Sequence, residues 1–266
     1  MIAISVALLI TIAAAGTGLL WWGQERLVFQ PGGPPYPSTG VTRLDYRADD
    51  GQPLLAYIVG NHTSPRGVLI AFHGNADLAV ARVGWAEEVA RHTGWLVMLP
   101  EWRGYAGLPG RPTADGVRRD ARAALRAAIS SLGAETGHIA LYGHSLGSAV
   151  ATELSEEANP VALVLESPLT SARDMARIVV ARPVELVWSM ISRVHYDTRR
   201  RVSEIGAPVS VAHGDRDFII PVRMGEAVFA AARTKGRLLV VHGAGHNDVA
   251  EVAGDAYWQW ITAALQ

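Results

Sequence analysis

The stretch Ile139–Ala149 constrains the fold of this chain more than any other, because it sets a serine between two glycines where an apolar run meets helix-forming residues. The order strand, sharp turn, helix places Ser145 at the apex, between Gly143 and Gly147. An apex residue of this kind has a strained backbone, and its neighbours must lack bulk where the strand and the helix crowd together. The turn lifts the serine hydroxyl above the sheet, and the following helix directs its first N–H groups towards it.

A serine at such a turn needs chemical partners, because its hydroxyl is a weak nucleophile by itself. The partners are a base, an acid that orients the base, and N–H donors for an oxyanion. Suitable residues follow the apolar runs that end at Phe72, Ala212 and Val241. In an open parallel sheet the carboxyl ends of the strands lie along one edge, where ligands bind. The sequence therefore predicts a site at this edge, with serine, acid and histidine in the chain order of a catalytic triad.

Short apolar runs alternate with helical patterns over most of the chain. Strands are predicted over 67–72, 95–99, 138–142, 161–166, 208–212 and 238–241, and an antiparallel hairpin over 41–46 and 54–59. This alternation implies an α/β fold, with a mostly parallel twisted sheet and helices on both faces. The chain has 266 residues, of which 49% are hydrophobic, so we assign residues 41–266 to one catalytic domain.

The segment 168–197 interrupts this alternation. Its pattern predicts two amphipathic helices, over 171–180 and 184–192, separated at Pro183. They form either a surface pair packed on the core or a small lid that shapes an acyl pocket. Extra segments above the strand ends commonly line binding sites, which is the argument for a lid.

The first 23 residues contain no charged side chain and end at Trp21 and Trp22. This length suits an N-terminal transmembrane helix with tryptophans at the membrane interface, so we expect a single-pass membrane protein. The alternative is a signal peptide cleaved near residues 13–15, which would give a secreted protein. The charge bias does not assign the side of the membrane that carries the domain. Residues 24–40, rich in proline and glycine, are predicted to be a linker.

The composition argues against several classes of partner and cofactor. The charges nearly balance, with 24 basic and 25 acidic side chains, so we expect no nucleic-acid partner. The absence of cysteine excludes thiolate catalysis and cysteine-ligated metals. His242 and His246 have a metal-like spacing, but they lie in a glycine-rich loop rather than on a helix, so no metal site is predicted. We therefore expect no cofactor, and the sequence does not predict an oligomeric state.

Five motifs resemble those of the α/β-hydrolase superfamily, and in particular its membrane-anchored bud-emergence-like branch. The resemblance covers nearly the whole chain and rests on residues 72–76, 103–105, 143–147, 213–217 and 245–248. One position departs from the pattern, because Glu101 stands in the loop where the resemblance implies an aspartate. This change is expected to affect the pocket wall rather than the triad.

The resemblance also implies roles for individual residues. Ser145 is the nucleophile and His246 the general base, with His242 as a competitor nearer the strand. The orienting acid is Asp215 or Asp217. The family pattern of an aspartate before an apolar pair and a proline favours Asp217, which would leave Asp215 to brace the loop.

Two backbone N–H groups, those of Asn75 and Leu146, form the oxyanion hole that the resemblance implies. The remaining histidines near the site, His144 and His213, are expected to be structural.

Three functions are compatible with these residues. The first is a serine hydrolase that cleaves carboxylic esters or thioesters of a small-molecule or lipid-like acyl substrate through an acyl-enzyme. The second is an acyltransferase that uses the same triad with an acceptor other than water. The third, a non-catalytic membrane-anchored binding module, predicts that one triad member is missing or misplaced in the fold.

Overall fold

The sheet of this protein has the α/β architecture that the sequence predicts. The computed structural model describes residues 2–34, 40–135 and 137–266, without the side chains of residues 2–10 and 13. Within these residues, eight strands form one sheet in the order β1-β2-β4-β3-β5-β6-β7-β8. The strands are β1 (Thr42–Arg47), β2 (Pro53–Val59), β3 (Val68–Phe72), β4 (Leu96–Pro100), β5 (Ile139–His144), β6 (Ala162–Glu166), β7 (Val209–Gly214) and β8 (Lys235–Val241). Strands β1 and β2 form the predicted hairpin, β2 also pairs antiparallel with β4, and the other pairs are parallel.

Helices cover both faces of this sheet. The helices of the described residues are α1 (Ile2–Val28), α2 (Val83–Thr93), α3 (Ala114–Leu132), α4 (Leu146–Ala158), α5 (Ala172–Val179), α6 (Arg182–Ile191), α7 (Thr198–Val202), α8 (Val222–Ala231), α9 (Val249–Ala253) and α10 (Asp255–Ala264). A short 3₁₀ helix, Ala79–Arg82, precedes α2. The predicted mostly parallel sheet with helices on both faces is confirmed.

The central strands are buried on both sides, which is why they appear in the sequence as continuous apolar runs. Successive side chains point to opposite faces of a strand. In β3, Ile70 and Phe72 therefore lie in the core layer beneath α3 and α4, whereas Leu69 and Ala71 lie in the layer beneath α2 and α10. This double covering fixes the register of the strands whose carboxyl ends carry the site.

The interrupting segment forms two helices, α5 and α6, with bounds close to those predicted. Pro183 does not separate them. It lies in the first turn of α6, where its missing N–H has no helical partner to lose. Trp188 is buried, but Val179 and Met190 are 72% and 85% exposed, so the predicted apolar face turns only partly towards the core.

The N-terminal helix α1 continues through Val28, beyond the predicted end of the apolar segment. Over the residues that the structure describes, no helix combines the length and the apolar character needed to cross a membrane. The transmembrane helix predicted over 1–23 therefore stays a prediction, and its residue 1 lies outside the described residues, as do residues 35–39 of the predicted linker.

The first part of the predicted linker packs against the domain instead of forming a spacer. Gln24, Glu25 and Phe29 are buried. The Gln24 side chain accepts the Arg193 N–H (Oε1···N 2.6 Å) and donates to the Ile191 carbonyl oxygen (Nε2···O 3.3 Å). The guanidinium of Arg193 lies 4.6 Å from the centroid of the Trp21 ring. The end of α1 and the end of α6 are thus held together.

Candidate active site

Ser145 occupies a strained turn between β5 and α4. Its backbone angles are φ 53° and ψ −120°, in the region that non-glycine residues rarely adopt. A Cβ at Gly147 would press against the carbonyl oxygens of Phe72 and His73, which is why only glycine fits there. The Ser145 N–H donates to the Glu166 carbonyl oxygen on β6 (N···O 2.9 Å), so the neighbouring strand holds the turn in place.

The structure brings Ser145, His246 and Asp217 into one hydrogen-bonded chain. His246 Nε2 lies 2.9 Å from Ser145 Oγ, and His246 Nδ1 lies 2.6 Å from Asp217 Oδ2. These residues follow β5, β8 and β7, so all three come from the carboxyl edge of the sheet, as the sequence predicts. With this geometry the imidazole can accept the serine proton while the carboxylate stabilises its positive form.

Asp217 is the aspartate that faces His246. Its Oδ1 accepts the backbone N–H groups of Ile219 and Ile220, both at 2.8 Å. Burial by itself would raise the pKa of Asp217, but the hydrogen bonds from His213 and His246 outweigh it and hold the pKa well below its usual range. Asp217 is therefore ionised at neutral pH.

Asp215 lies on the same loop but does not reach the triad. Its carboxylate accepts the Gly243 N–H (Oδ1···N 2.7 Å) and contacts the largely exposed ring of His242. Asp215 and His242 therefore join the loops after β7 and β8, and His246 is the histidine beside the serine.

His213 is a further residue of the site, although the sequence predicts only a structural role for it. Its Nε2 lies 3.1 Å from Asp217 Oδ2 and 2.8 Å from the Ile220 carbonyl oxygen. Since both partners are acceptors, this nitrogen carries the hydrogen and donates to Asp217. His213 is fully buried on β7, and its apolar surroundings in the sequence gave no signal of this contact.

His144, immediately before Ser145, holds the loop that carries His246. The guanidinium of Arg82 donates to His144 Nδ1 (3.2 Å), so the other ring nitrogen carries the hydrogen and donates to the His246 carbonyl oxygen (Nε2···O 3.1 Å). Burial, together with the positive charge of Arg82, lowers the pKa of His144 well below its ordinary value. A neutral His144 thus positions His246 without competing for the proton of the serine.

The predicted oxyanion groups lie on the two sides of the serine. Leu146 begins α4, and Asn75 lies in the turn after β3. Within the described residues, neither backbone N–H has a hydrogen-bond acceptor. A Cβ at Gly74 would approach both the His144 ring and the Ser145 side chain, so this turn packs directly against Ser145. Both N–H groups are therefore available to an oxyanion.

Glu101 does not line the pocket wall, contrary to the expectation from the sequence. It is completely buried behind the turn after β3 that carries Asn75, which we call the oxyanion turn. There its carboxylate accepts the N–H groups of Ala79 (Oε2···N 3.0 Å) and Trp102 (Oε1···N 3.1 Å). Its Oε1 also lies 2.8 Å from His73 Nε2, while His73 Nδ1 faces the Gly74 carbonyl oxygen at 2.8 Å.

The contacts of His73 indicate that its ring is charged. Both ring nitrogens face acceptors, and only the imidazolium form donates to both. Burial would lower the pKa of His73, but the negative charge of Glu101 and its hydrogen bond outweigh this effect and raise the pKa. The oxyanion turn therefore rests on a buried ion pair.

The triad is close to the surface but largely enclosed. Ser145 is 7% exposed, and the side chain of His246 is 8% exposed. Over the described residues, no group of three or more histidine and acidic side chains is arranged to hold a metal ion. A serine, an imidazole, a carboxylate and two free backbone N–H groups in this arrangement are what acyl transfer from an ester, thioester or amide to water or another acceptor requires.

The chain is similar in sequence to several known proteins. Residues 63–199 match the family model described as "Serine aminopeptidase, S33". The chain is 34% identical to an uncharacterized protein of Mycobacterium tuberculosis over 92% of this chain and 89% of that protein. It is 26% identical to alpha/beta hydrolase domain-containing protein 17B of Homo sapiens, covering 83% of this chain and 72% of that one. It is also 27% identical to protein bem46 of Schizosaccharomyces pombe, covering 96% and 90% of the two chains.

Solved structures share the fold at lower identity. An esterase of Pyrococcus furiosus superposes with a TM-score of 0.67 and 17% identity, covering 89% of this chain and 98% of the other. The esterase domain of a Rhodothermus marinus protein superposes with a TM-score of 0.62 and 18% identity, covering 85% and 100%.

Proposed function

This chain belongs to the α/β-hydrolase superfamily, in its bem46-like branch, and is an esterase-like hydrolase. From that premise, we propose that it cleaves carboxylic esters or thioesters through an acyl-enzyme on Ser145. The observation that carries the proposal is the continuous hydrogen-bonded chain from Ser145 Oγ through His246 to Asp217. A binding module without catalysis would have no need for this alignment, in which every triad member is in contact with the next.

In the proposed reaction, Ser145 Oγ attacks the acyl carbon while His246 Nε2 takes the serine proton. Asp217 remains ionised and stabilises the imidazolium, because its low pKa keeps the proton on the histidine. The tetrahedral oxyanion accepts hydrogen bonds from the backbone N–H groups of Leu146 and Asn75.

Collapse of this intermediate expels the alcohol or thiol, which receives the proton from His246. Water then attacks the acyl-enzyme with His246 again as the base, and the acid product leaves.

The test compares the S145A variant with S130A, which changes an exposed serine at the far end of α3. We expect S145A to lose both turnover of short-chain nitrophenyl esters and labelling by a fluorophosphonate, while S130A keeps both. Labelling of S145A at the rate of the wild type would reject Ser145 as the nucleophile. Because the family model is named after an aminopeptidase, an aminoacyl nitroanilide should be assayed alongside, and faster turnover of that amide than of the esters would contradict the ester proposal.

For the substrate, we propose a lipid-like acyl compound. Large apolar side chains are exposed on α1 and on the segment that carries α5 and α6, and they include Trp21, Trp22, Val179, Val180, Leu186 and Met190. The loop of the catalytic acid exposes another, since Phe218 is 94% exposed. Exposed apolar surface of this extent is typical of sites that contact lipids or apolar ligands. This placement supports the lid hypothesis and a membrane location, which remain proposals.

Two measurements test these points. Turnover of an ester and thioester series of increasing acyl-chain length should rise with chain length if the lid shapes an acyl pocket, and a preference for acetyl esters would contradict it. Extraction of native membranes at alkaline pH should leave the full chain in the membrane fraction if α1 anchors it, whereas release into the supernatant would contradict an anchor.

A further inference from the structure

The last residue of α1 and the two residues after it are hydrogen-bonded to the oxyanion turn. The Asn75 side chain donates to the Val28 carbonyl oxygen (Nδ2···O 2.7 Å), and its Oδ1 accepts the Gln30 N–H (2.8 Å). The same Oδ1 accepts the Tyr105 hydroxyl (2.8 Å), and the Ala76 N–H donates to the Gln30 carbonyl oxygen (3.0 Å). Residues 28–30, which we call the strap, therefore contact both residues at the tip of the turn.

The oxyanion turn has a reason to need this support. Ala76 adopts a φ of 53°, in the left-handed region that is unfavourable for residues with a side chain. An isolated turn would relax from this conformation, and relaxation would rotate the peptide that carries the Asn75 N–H. The two hydrogen bonds from the strap to the Asn75 side chain and the third from Ala76 to Gln30 oppose that rotation.

The strap is itself held in place by buried contacts. Phe29 is 2% exposed, and its ring meets the Tyr196 ring edge to face, with centroids 6.5 Å apart. Just before the strap, the Glu25 carboxylate accepts the Ala114 N–H at the start of α3 (3.3 Å) and forms an ion pair with Arg193 (3.3 Å). These contacts fix the strap to the rest of the domain, and the hydrogen bonds of the strap in turn hold the oxyanion turn in place.

We propose that the strap positions the oxyanion hole and that the Asn75 side chain is the positioning residue through which it acts. The proposal rests on the proposed acyl-enzyme function, and it extends that function to a segment which the sequence alone suggested was a spacer. Its consequence is that removal of the strap lowers the rate of acylation without removing any member of the triad.

The main test replaces the strap donor. Q30P removes the N–H that Asn75 Oδ1 accepts and leaves the triad unchanged. The control G33P introduces a proline three residues further on, outside the strap, at a glycine with no neighbour within 4 Å of its Cβ position. Loss of a whole oxyanion donor lowers kcat by about 10²–10³-fold. For a misplaced donor we expect a smaller loss, so kcat of Q30P on a short-chain ester should fall by about 10-fold or more, with KM nearly unchanged, and G33P should keep the kcat of the wild type.

Two further variants protect this test against a failure of Q30P to fold. N75A removes all three side-chain hydrogen bonds but keeps the backbone N–H, and Y105F removes only the hydroxyl bond. We expect N75A to have a lower kcat than Y105F, and Y105F to have a lower kcat than the wild type. Equal kcat values for folded N75A, Q30P and wild type would overturn the proposal.

Hydrogen–deuterium exchange separates this proposal from the proposed function. The peptide covering residues 73–78 should exchange faster in Q30P than in G33P, whatever the activity of the protein. A wild-type protein without esterase activity would refute the proposed function, while slower or equal exchange in Q30P would refute the strap alone.

Discussion

Replacement of Glu101 by glutamine should destabilise the protein and change how its stability depends on pH. The carboxylate accepts from Ala79, Trp102 and His73. An amide has only one acceptor oxygen, so in either orientation its NH₂ group faces a backbone N–H. The variant therefore breaks the ion pair with His73 and also leaves one buried donor unsatisfied.

The size of the effect follows from these lost contacts. Breaking a buried ion pair by removing one partner costs about 3–5 kcal/mol. For a chain of this size, each kcal/mol lowers the melting temperature by about 2–4 °C, so E101Q should melt about 6–20 °C below the wild type. The exposed Glu135 provides the control, because E135Q removes the same charge at a side chain that is 82% exposed and should change the stability by less than about 0.5 kcal/mol.

The pH dependence gives the sharper readout. In the wild type, Glu101 raises the pKa of His73 above its unfolded value of about 6.5, so the pair stabilises the fold fully below that pH and loses its contribution as pH rises through the folded pKa. The other groups near His73 are Asp77, which also raises its pKa and is itself paired with Arg82, and the Tyr105 hydroxyl. In E101Q, burial is opposed only by Asp77 and by the hydrogen bond to the Gly74 carbonyl oxygen, so protonation of His73 contributes less stability than in the wild type.

The assay is urea denaturation of both proteins across pH 5 to 9. The difference in free energy of unfolding between the wild type and E101Q should be largest at the acidic end and should shrink as pH rises. A difference that stays constant across this range would refute a charged His73, and a difference that grows with pH would refute the assignment of the ionised carboxylate as its partner.

Three further outcomes are expected. D217A should lower kcat by about 10⁴-fold, whereas D215A should lower it by less than about 10-fold, because the carboxylate of Asp215 only joins two loops. Steady-state ester hydrolysis measures both effects. H213A removes a buried N–H donor from the charged Asp217 and should reduce the free energy of unfolding by at least about 1.5–3 kcal/mol, measured by urea denaturation; an unchanged midpoint would contradict this. M190E places a charge on the exposed face of α6 and should slow hydrolysis of a long-chain ester carried in vesicles but not of a soluble short-chain ester. The control I129E on α3 should affect neither rate, and an equal loss of rate on both substrates in M190E would contradict a lipid-facing role.

The strands of the central sheet could be predicted from the sequence because burial on both faces demands apolar residues at every position. Strand β8 shows the limit of this signal. It begins at Lys235 rather than at 238, since its first residues lie at the exposed end of an edge strand and pair through backbone groups that no side-chain pattern reveals. The residue pattern therefore does not predict the bounds of an element where backbone hydrogen bonds rather than burial define it.

The same limit applies to the residues around the triad. The elbow at Ser145 has a local signature in its glycines, so its position could be predicted. Glu101 could not be assigned correctly, because a charged residue is normally expected at a surface and only the fold brings His73 to it. The strap was obscured by the prolines and glycines that follow it, which indicate a spacer although residues 28–30 are bound.

The contacts of Arg193 with Gln24 and Trp21 have a consequence for the proposed lid. The guanidinium of Arg193 lies against Trp21, and its backbone N–H donates to the Gln24 side chain. These contacts join the end of α6 to the end of α1. If α6 acts as the proposed lid, an outward movement of α6 that admits a bulky acyl chain must also tilt α1. The tilt of α1 and the opening of the proposed lid would then be one coordinate of motion rather than two.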